Sequence, residues 1–323
     1  MEDSFAFRFP LTMLLVPLLL FISSCARPAP QPLSITRPTP SPVRYPAVAG
    51  SFYPQDAETL IQVVDGLLAQ AEKVEGKPIA LIVPHAGYEY SGLVAAHAYK
   101  QLEGADYDVF VIIGNNHYDP EFDLVSVYAE GAFETPLGRL PIDSDLAKAL
   151  IASEERIVFD PLVHAKEHSI EVELPFLQRL YGEPKIVPII VGAPSQENCR
   201  ALSEALVKTL SGKNALIIAS SDLSHYLGYE DAIRVDEATL TAIETMSPQV
   251  LNQTIQKYMG QRIAGLACLL CGEGPVKVAM IVAKELGADE VTVLKYANSG
   301  DMVPTRRDQV VGYGAVMFWR RGS

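Results

Sequence analysis

Apolar residues fall along this chain in two rhythms. Short unbroken runs, such as Ile79-Ala80-Leu81-Ile82-Val83, have the length and flanking turn residues of buried strands. Longer stretches repeat at the helical spacing. After Asp56, the residues Leu60, Val63, Val64, Leu67 and Leu68 share one face, and Asp56 is placed to cap that helix. The same pattern predicts further strands over 108–114, 124–128, 185–191, 215–221, 291–297 and 309–319. It predicts helices over 93–102, 145–151, 169–180, 196–210, 231–245, 249–259 and 274–286. Pro136-Leu137-Gly138 marks a turn, and Pro188 inside 185–191 suggests a bulge or a sheet edge. Strands alternating with helices predict an α/β fold, a three-layer α/β/α single domain. The last two strands lack a helical spacer, so the central sheet is expected to be mixed.

The fold is expected to occupy 45–323. Residues 11–21 form an apolar stretch too short and too Pro-broken to span a bilayer comfortably. Ile22-Ser23-Ser24-Cys25 follows, and a signal core ending in small residues before a cysteine resembles the bacterial lipoprotein signal. That resemblance implies cleavage of residues 1–24 and lipid attachment to Cys25. The front end departs from it, because Glu2 and Asp3 oppose Arg8 where such signals begin basic. An ordinary cleaved signal or a signal anchor is the alternative. Residues 25–44 read as a tether: Pro28, Pro30, Pro32, Pro38, Pro40 and Pro42 alternate with small and polar residues, a composition that favours an extended spacer. The protein is therefore expected in the bacterial cell envelope, lipid-anchored and facing outside the cytoplasm.

Composition narrows the classes. The 323 residues are 49% hydrophobic and 20% charged, enough for a sizeable core. A formal net charge of −13 argues against nucleic acid, which requires a basic footprint. Four cysteines are too few for a disulfide scaffold at this length. Internal repeats, a GxGxxG fingerprint and a P-loop are all lacking.

The candidate chemistry lies at strand ends. His85 follows the strand 79–83, with Pro84 ending it and Gly87 and Gly92 making the turn into a helix. His117 follows 108–114, and Asp222 and His225 follow 215–221. Ligands bind at the carboxyl edge of open α/β sheets. One histidine there more often satisfies a hydrogen bond than binds a ligand, but three of the six histidines arriving by one route suggest a single pocket. Cys271 precedes the turn Gly272-Glu273-Gly274-Pro275 that opens a helix, a position that lowers a thiol's pKa and favours metal-binding thiolate. The alternatives are an inert buried cysteine or a redox pair of Cys268 with Cys271. His97 reads as structural, and His164 carries no signal.

The segments Ala49-Gly50-Ser51-Phe52-Tyr53, Pro84-His85-Ala86-Gly87-Tyr88, Gly114-Asn115-Asn116-His117, Glu167-His168-Ser169-Ile170-Glu171, Ser221-Asp222-Leu223-Ser224-His225 and Cys271-Gly272 occur in order. So do Tyr296-Ala297-Asn298-Ser299-Gly300-Asp301 and Gly312-Tyr313-Gly314-Ala315. On these motifs the chain resembles the Memo family (AmmeMemoRadiSam system protein B), related to the LigB-like class III extradiol dioxygenases. The resemblance implies a LigB/Memo-like fold over the whole folded part. It implies that His85, His117 and Cys271 hold a metal, that His225 is an acid–base group, and that Asp222 orients it. Cys271 stands where the dioxygenases carry a carboxylate. A softer thiolate favours Cu(I), Zn(II) or an altered iron site and puts ring cleavage in doubt. Tyr90 and Phe52 are expected pocket walls. His168 is expected either to line the pocket or to take a capping or surface role.

Three functions are then weighed. The first is an oxidoreductase using Fe(II) or copper, with zinc as a third metal and an unidentified substrate. The second is a non-catalytic protein binding a metal, a small molecule or a peptide on the same frame. The third is a hydrolase with a zinc-bound water, for which Asp222 and Glu273 would supply carboxylates. Protein partners stay open, and the membrane is reached only through the lipid at Cys25. The family is mostly expected in the cytoplasm, with partners of the same system. Outside it, Cys268 and Cys271 would be free to oxidise to a disulfide, which would remove the thiolate ligand.

Overall fold

The computed structural model describes residues 43–322. The signal, the lipid-attachment cysteine Cys25 and all but the last two residues of the tether lie outside the described residues. Chain order begins with β1 (Val43–Arg44), α1 (Ala57–Gln70), β2 (Pro78–Val83), α2 (Tyr88–Lys100), β3 (Val109–Asn115), β4 (Val125–Val127), β5 (Ala132–Thr135) and β6 (Gly138–Pro141). Next come α3 (Ser144–Ser153), β7 (Ile157–Val158), α4 (Pro161–His164), a 3-10 turn (Glu171–Glu173), α5 (Leu174–Tyr181), β8 (Ile186–Val191), α6 (Gln196–Leu210) and β9 (Ala215–Ser220). The chain closes with β10 (His225–Leu227), α7 (Tyr229–Glu244), α8 (Pro248–Gly260), α9 (Glu273–Glu285), β11 (Glu290–Asn298), α10 (Ser299–Met302) and β12 (Val310–Trp319).

The main sheet has nine strands in the order β10-β12-β2-β9-β3-β8-β4-β7, with β11 on β12. Its centre, β2-β9-β3-β8, is parallel. The late strand β12 runs antiparallel to β2 and β11, so the sheet is mixed; the β11–β12 connection holds only the four-residue α10, too short for the crossover a parallel pair needs. Every residue of β3 from Val109 to Gly114 is buried. Burial without alternation means that both faces are covered. On one side α2 packs with α1 and α5; α9, packed with α6 and α8, also contacts β2, β9 and β3.

Local signals set these elements. The Asp56 carboxylate accepts from the Thr59 N–H at 2.8 Å and starts α1, whose Leu60, Val64 and Leu68 are buried, each contributing roughly 1.5–3 kcal/mol. Gly92 lets α2 lie against α1, because a Cβ there would stand 2.9 Å from Leu67. That helix starts at Tyr88, five residues before the expected start, with Gly87 as its N-cap.

Three expectations need correcting. Pro188 lies inside the sheet, between β3 and β4. Its carbonyl accepts from Tyr128 N–H at 2.9 Å, on the β4 side, and a residue's N–H and C=O point the same way along a strand. The missing donor therefore faces the end of a three-residue strand, and the pairing with β3 needs nothing from it. The helix expected over 169–180 is a turn, then the 3-10 turn, then α5, with Pro175 in its first turn. A second sheet of β1, β5 and β6 was not expected. It brings Val43 and Arg44, ahead of Tyr45, into the fold. Among the described residues, no helix is long and apolar enough to cross a membrane.

Candidate metal centre

Parallel neighbours β2, β9 and β3 end side by side. Two residues past β2 stands His85, two past β3 His117, and two past β9 Asp222. The ring centroids of His85 and His117 are 5.3 Å apart. His168 stacks on His117 at 4.5 Å and meets His85 edge-on at 5.4 Å. Ligand atoms of His85, His117 and His168 lie within 4.8 Å of one another, and so do those of His85, Asp222 and Cys271.

Each imidazole is oriented from behind. Ser220 Oγ lies 2.7 Å from His85 Nδ1. Its own proton has acceptors in Ser169 O at 2.6 Å and Glu173 Oε1 at 2.9 Å. His85 Nδ1–H therefore donates to Ser220, and Nε2 keeps its lone pair facing Cys271 Sγ at 3.3 Å. Burial lowers the His85 pKa, against the pull of Asp222, so the ring is neutral and the Cys271 thiol is its donor. Glu173 sits one step further back. Burial raises its pKa to about 8, and the protonated acid can donate to Ser220 while accepting from Tyr99 O–H at 2.7 Å.

His117 is bound twice by Glu167: its N–H donates to Oε2 and its Nδ1–H to Oε1, both at 2.8 Å. Burial works against the charge on Glu167. The hydrogen bond to His117, with the Ser169 N–H, outweighs it and holds the pKa at about 2. His117 Nε2 then accepts from Asn115 Nδ2 at 3.0 Å, and the buried Asn115 Oδ1 has no partner among the described residues. His168 is held near a pKa of 3, first by burial and then by His85. Its neighbours are Tyr118 O–H at 3.3 Å and the edge-on ring of Phe52 at 4.8 Å.

Asp222 Oδ1 accepts the His85 N–H at 2.9 Å, and Oδ2 faces His225 Nε2 at 3.9 Å. Burial opposes its charge, yet His85 and His225 hold its pKa below the usual range. Cys271 departs from expectation in its acidity. It precedes Gly272, the N-cap of α9, and burial, reinforced by Asp222 and Cys268, pushes its thiol well up. Desolvation outweighs the helix terminus at this position. Cys268 and Cys271 are both free and lie in a loop, and Cys268 Sγ lies 3.1 Å from His225 Nδ1. Tyr90 neighbours Glu89 and Arg306. A cavity of about 90 Å³ touches Cys271 and is bordered by Asn115, Asn116, Gly192 and Pro275.

The remaining histidines are accounted for. His97 Nδ1 donates to Leu93 O at 2.8 Å within α2. His164 is buried, with Nε2 3.0 Å from Ser126 Oγ. Sequence reasoning missed Ser220, Glu167 and Glu173. Glu167 left one signal, its place in the motif Glu167-His168-Ser169-Ile170-Glu171, which carried no role for it.

The Memo-like protein family pattern matches residues 44–317. A MEMO1 family protein of Pyrobaculum aerophilum is 38% identical over 289 residues, covering 86% of this chain and 99% of its own. One of Methanobrevibacter smithii is 38% identical over 290 residues, covering 85% and 99%. One of Methanosarcina mazei is 40% identical over 278 residues, covering 85% and 98%. Among solved structures, an uncharacterized protein from Escherichia coli K12 aligns with a TM-score of 0.50 at 12% identity, over 74% of this chain and 98% of that one. That likeness concerns the fold alone. The chain belongs to the Memo family.

Proposed function

We propose that the protein is a metal-dependent oxidoreductase in which His85, His117 and Cys271 hold iron or copper, and Asp222 and His225 handle protons. One observation carries this reading. Both imidazoles spend Nδ1–H on a partner of their own, Ser220 and Glu167, so both Nε2 lone pairs are left for the pocket. Metal-ligating histidines are oriented in this way. A thiol sulfur 3.3 Å from the His85 nitrogen would add a soft donor suited to copper, zinc or iron, with His85 shared between the group that holds His117 and the group that holds Cys271. When bound, such a metal would supply electron transfer and an open position for an oxidant. Cys271, protonated while the site is empty of a cation, would lose its proton on binding. Asn115 would release His117 Nε2, and its unpartnered Oδ1 would be left to accept from a water or a substrate donor beside the metal. His168 offers a third imidazole against the same pair. The proposal includes location: the apolar stretch, Cys25 and the Pro-rich segment favour an envelope protein anchored by lipid.

The test is metal content. The full chain is purified without oxygen, and iron, copper and zinc are quantified beside the His85→Ala, His117→Ala and Cys271→Ala variants. Near-stoichiometric iron or copper, lost in all three, together with oxygen or peroxide consumption in the presence of a phenolic reductant, is the expected result. Protein that refuses Fe(II), Cu(I) and Zn(II) would overturn it in favour of a non-catalytic ligand-binding pocket. Zinc with anaerobic ester turnover would make the protein a hydrolase.

A further inference from the structure

Cys268 lies outside the proposed ligand set, yet the fold holds it firmly against His225. The loop between α8 and α9 runs beside β10. His225 N–H donates to Cys268 O at 3.3 Å, and Ala267 N–H donates to His225 O at 3.2 Å. The approach depends on Gly265, which has φ +85° and would drive a Cβ into the carbonyl oxygen of Tyr226. Tyr226 itself takes a left-handed φ of 68°, so the strand turns to meet the loop. These constraints bring Cys268 Sγ within 3.1 Å of His225 Nδ1. On the far side of the ring, Nε2 faces Asp222 Oδ2 at 3.9 Å. Thiol, imidazole and carboxylate stand in the order that activates a sulfur nucleophile.

The three described cysteines differ in what faces them. Cys199 is buried, its sulfur directed at Gly274 O at 3.9 Å, and burial pushes its thiol up to about 11. Cys271 faces a neutral imidazole nitrogen that only accepts. Cys268 is half-buried, and the His225 side chain beside it is 20% exposed, so a small reagent can reach the pair. The other groups facing it are Asp222, Asp236, His85 and Cys271. Burial opposes a charge on His225, but its bonds to Asp222 and Cys268 and their charges outweigh that and raise its pKa to about 10.

We propose that Cys268 is a reactive thiolate, paired with the His225 imidazolium, and that it is a modification site for hydroperoxides. In the reaction the sulfur attacks one peroxide oxygen. An S–O bond forms as the O–O bond breaks, the sulfur gives up two electrons, and the peroxide leaves as water or an alcohol carrying a proton from His225. The product is a sulfenic acid at Cys268. Soft alkylating reagents would take the same thiolate. The inference stands on the Cys268–His225–Asp222 geometry and is independent of which metal, if any, occupies the neighbouring site.

The test is residue-resolved reactivity in the full chain. Iodoacetamide is applied from pH 5.5 to 9, and alkylation of Cys199, Cys268 and Cys271 is followed by peptide mass spectrometry. At pH 6 Cys268 is expected to react at least tenfold faster than the other two. His225→Ala is expected to slow it at least tenfold at pH 6. One equivalent of hydrogen peroxide followed by dimedone is expected to label Cys268 and leave Cys199 unlabelled. A Cys268 rate in the wild-type protein at or below those of Cys199 and Cys271 would overturn the proposal with no variant needed. So would a rate indifferent to His225→Ala in a variant whose circular dichroism is unchanged, or the absence of a dimedone adduct.

Discussion

The two carboxylate oxygens of Glu167 are divided between the main chain and the ring of His117, Oε2 taking the N–H and Oε1 facing Nδ1, each at 2.8 Å. This fork fixes the tautomer and the ring together, fifty positions away in sequence. Glu167→Gln keeps the shape but offers only one acceptor oxygen for three donors, the His117 N–H and Nδ1–H and the Ser169 N–H. Its metal affinity is expected to fall about 10- to 100-fold, the usual loss when a ligand's orienting partner goes. Competition titration with a chelating dye measures it, and an affinity within twofold of wild type would remove Glu167 from the site.

The same carboxylate makes an acid-stability prediction. Its pKa is about 2 in the folded chain against an ordinary 4.5. A carboxyl group held below its unfolded value contributes stability that is present above the unfolded pKa and lost as pH falls through the folded one. The wild-type protein should therefore lose stability between about pH 4.5 and pH 2, with a component missing in Glu167→Gln. Denaturant midpoints at pH 6, 4 and 3 measure it, and parallel curves for the two proteins would contradict it.

Glu173 behaves with the opposite sign. Burial raises it to about 8 from an ordinary 4.5, so the folded chain keeps a proton that the unfolded chain gives up. That contribution is whole below about pH 4.5 and is lost as pH rises through 8, an effect on the order of a few kcal/mol. Glu173→Gln preserves a neutral donor and acceptor between Tyr99 and Ser220 without a titrating proton. Its stability relative to wild type is expected to improve from pH 6 to pH 9. A relative stability that stays flat over that range would mean that Glu173 is ionised in the fold.

Periodicity made the sheet legible, because unbroken apolar runs mark strands covered on both faces. Once 79–83, 108–114 and 215–221 are parallel neighbours, His85, His117 and Asp222 must meet at one edge. The partners behind them were not legible. Ser220 is the last residue of a buried strand, and its small polar side chain looks like packing. Glu167 and Glu173 reach their partners across long stretches of chain, a relationship that no local pattern contains. Pro188 misled for a related reason: a proline disqualifies a strand only on the side where its donor is needed, and which side that is depends on β4. Cys271 misled because helix position and burial act on a thiol in opposite directions, and sequence shows only the first.

Arg44 ties the start of the fold to the site, and that makes a final prediction. Its guanidinium is buried and donates to Glu171, to the Glu167 carbonyl and, at 3.0 Å, to the His164 carbonyl. Glu171 also accepts the N–H groups of Ala47 at 2.8 Å and Val48 at 3.0 Å. Arg44→Met would leave that carboxylate buried beside no cation, at a cost of roughly 3–5 kcal/mol, or on the order of 10 °C in Tm. Arg44→Met combined with Glu171→Gln removes both charges and is expected to recover part of the loss, as replacement of a whole buried pair often does. Because Arg44 also holds the main chain at Glu167, metal retention should drop in Arg44→Met even below its unfolding temperature. Thermal unfolding and metal content of the two variants measure both effects. An Arg44→Met protein that melts within a degree or two of wild type would show that the pair contributes no net stability, and unchanged metal content would uncouple it from His117.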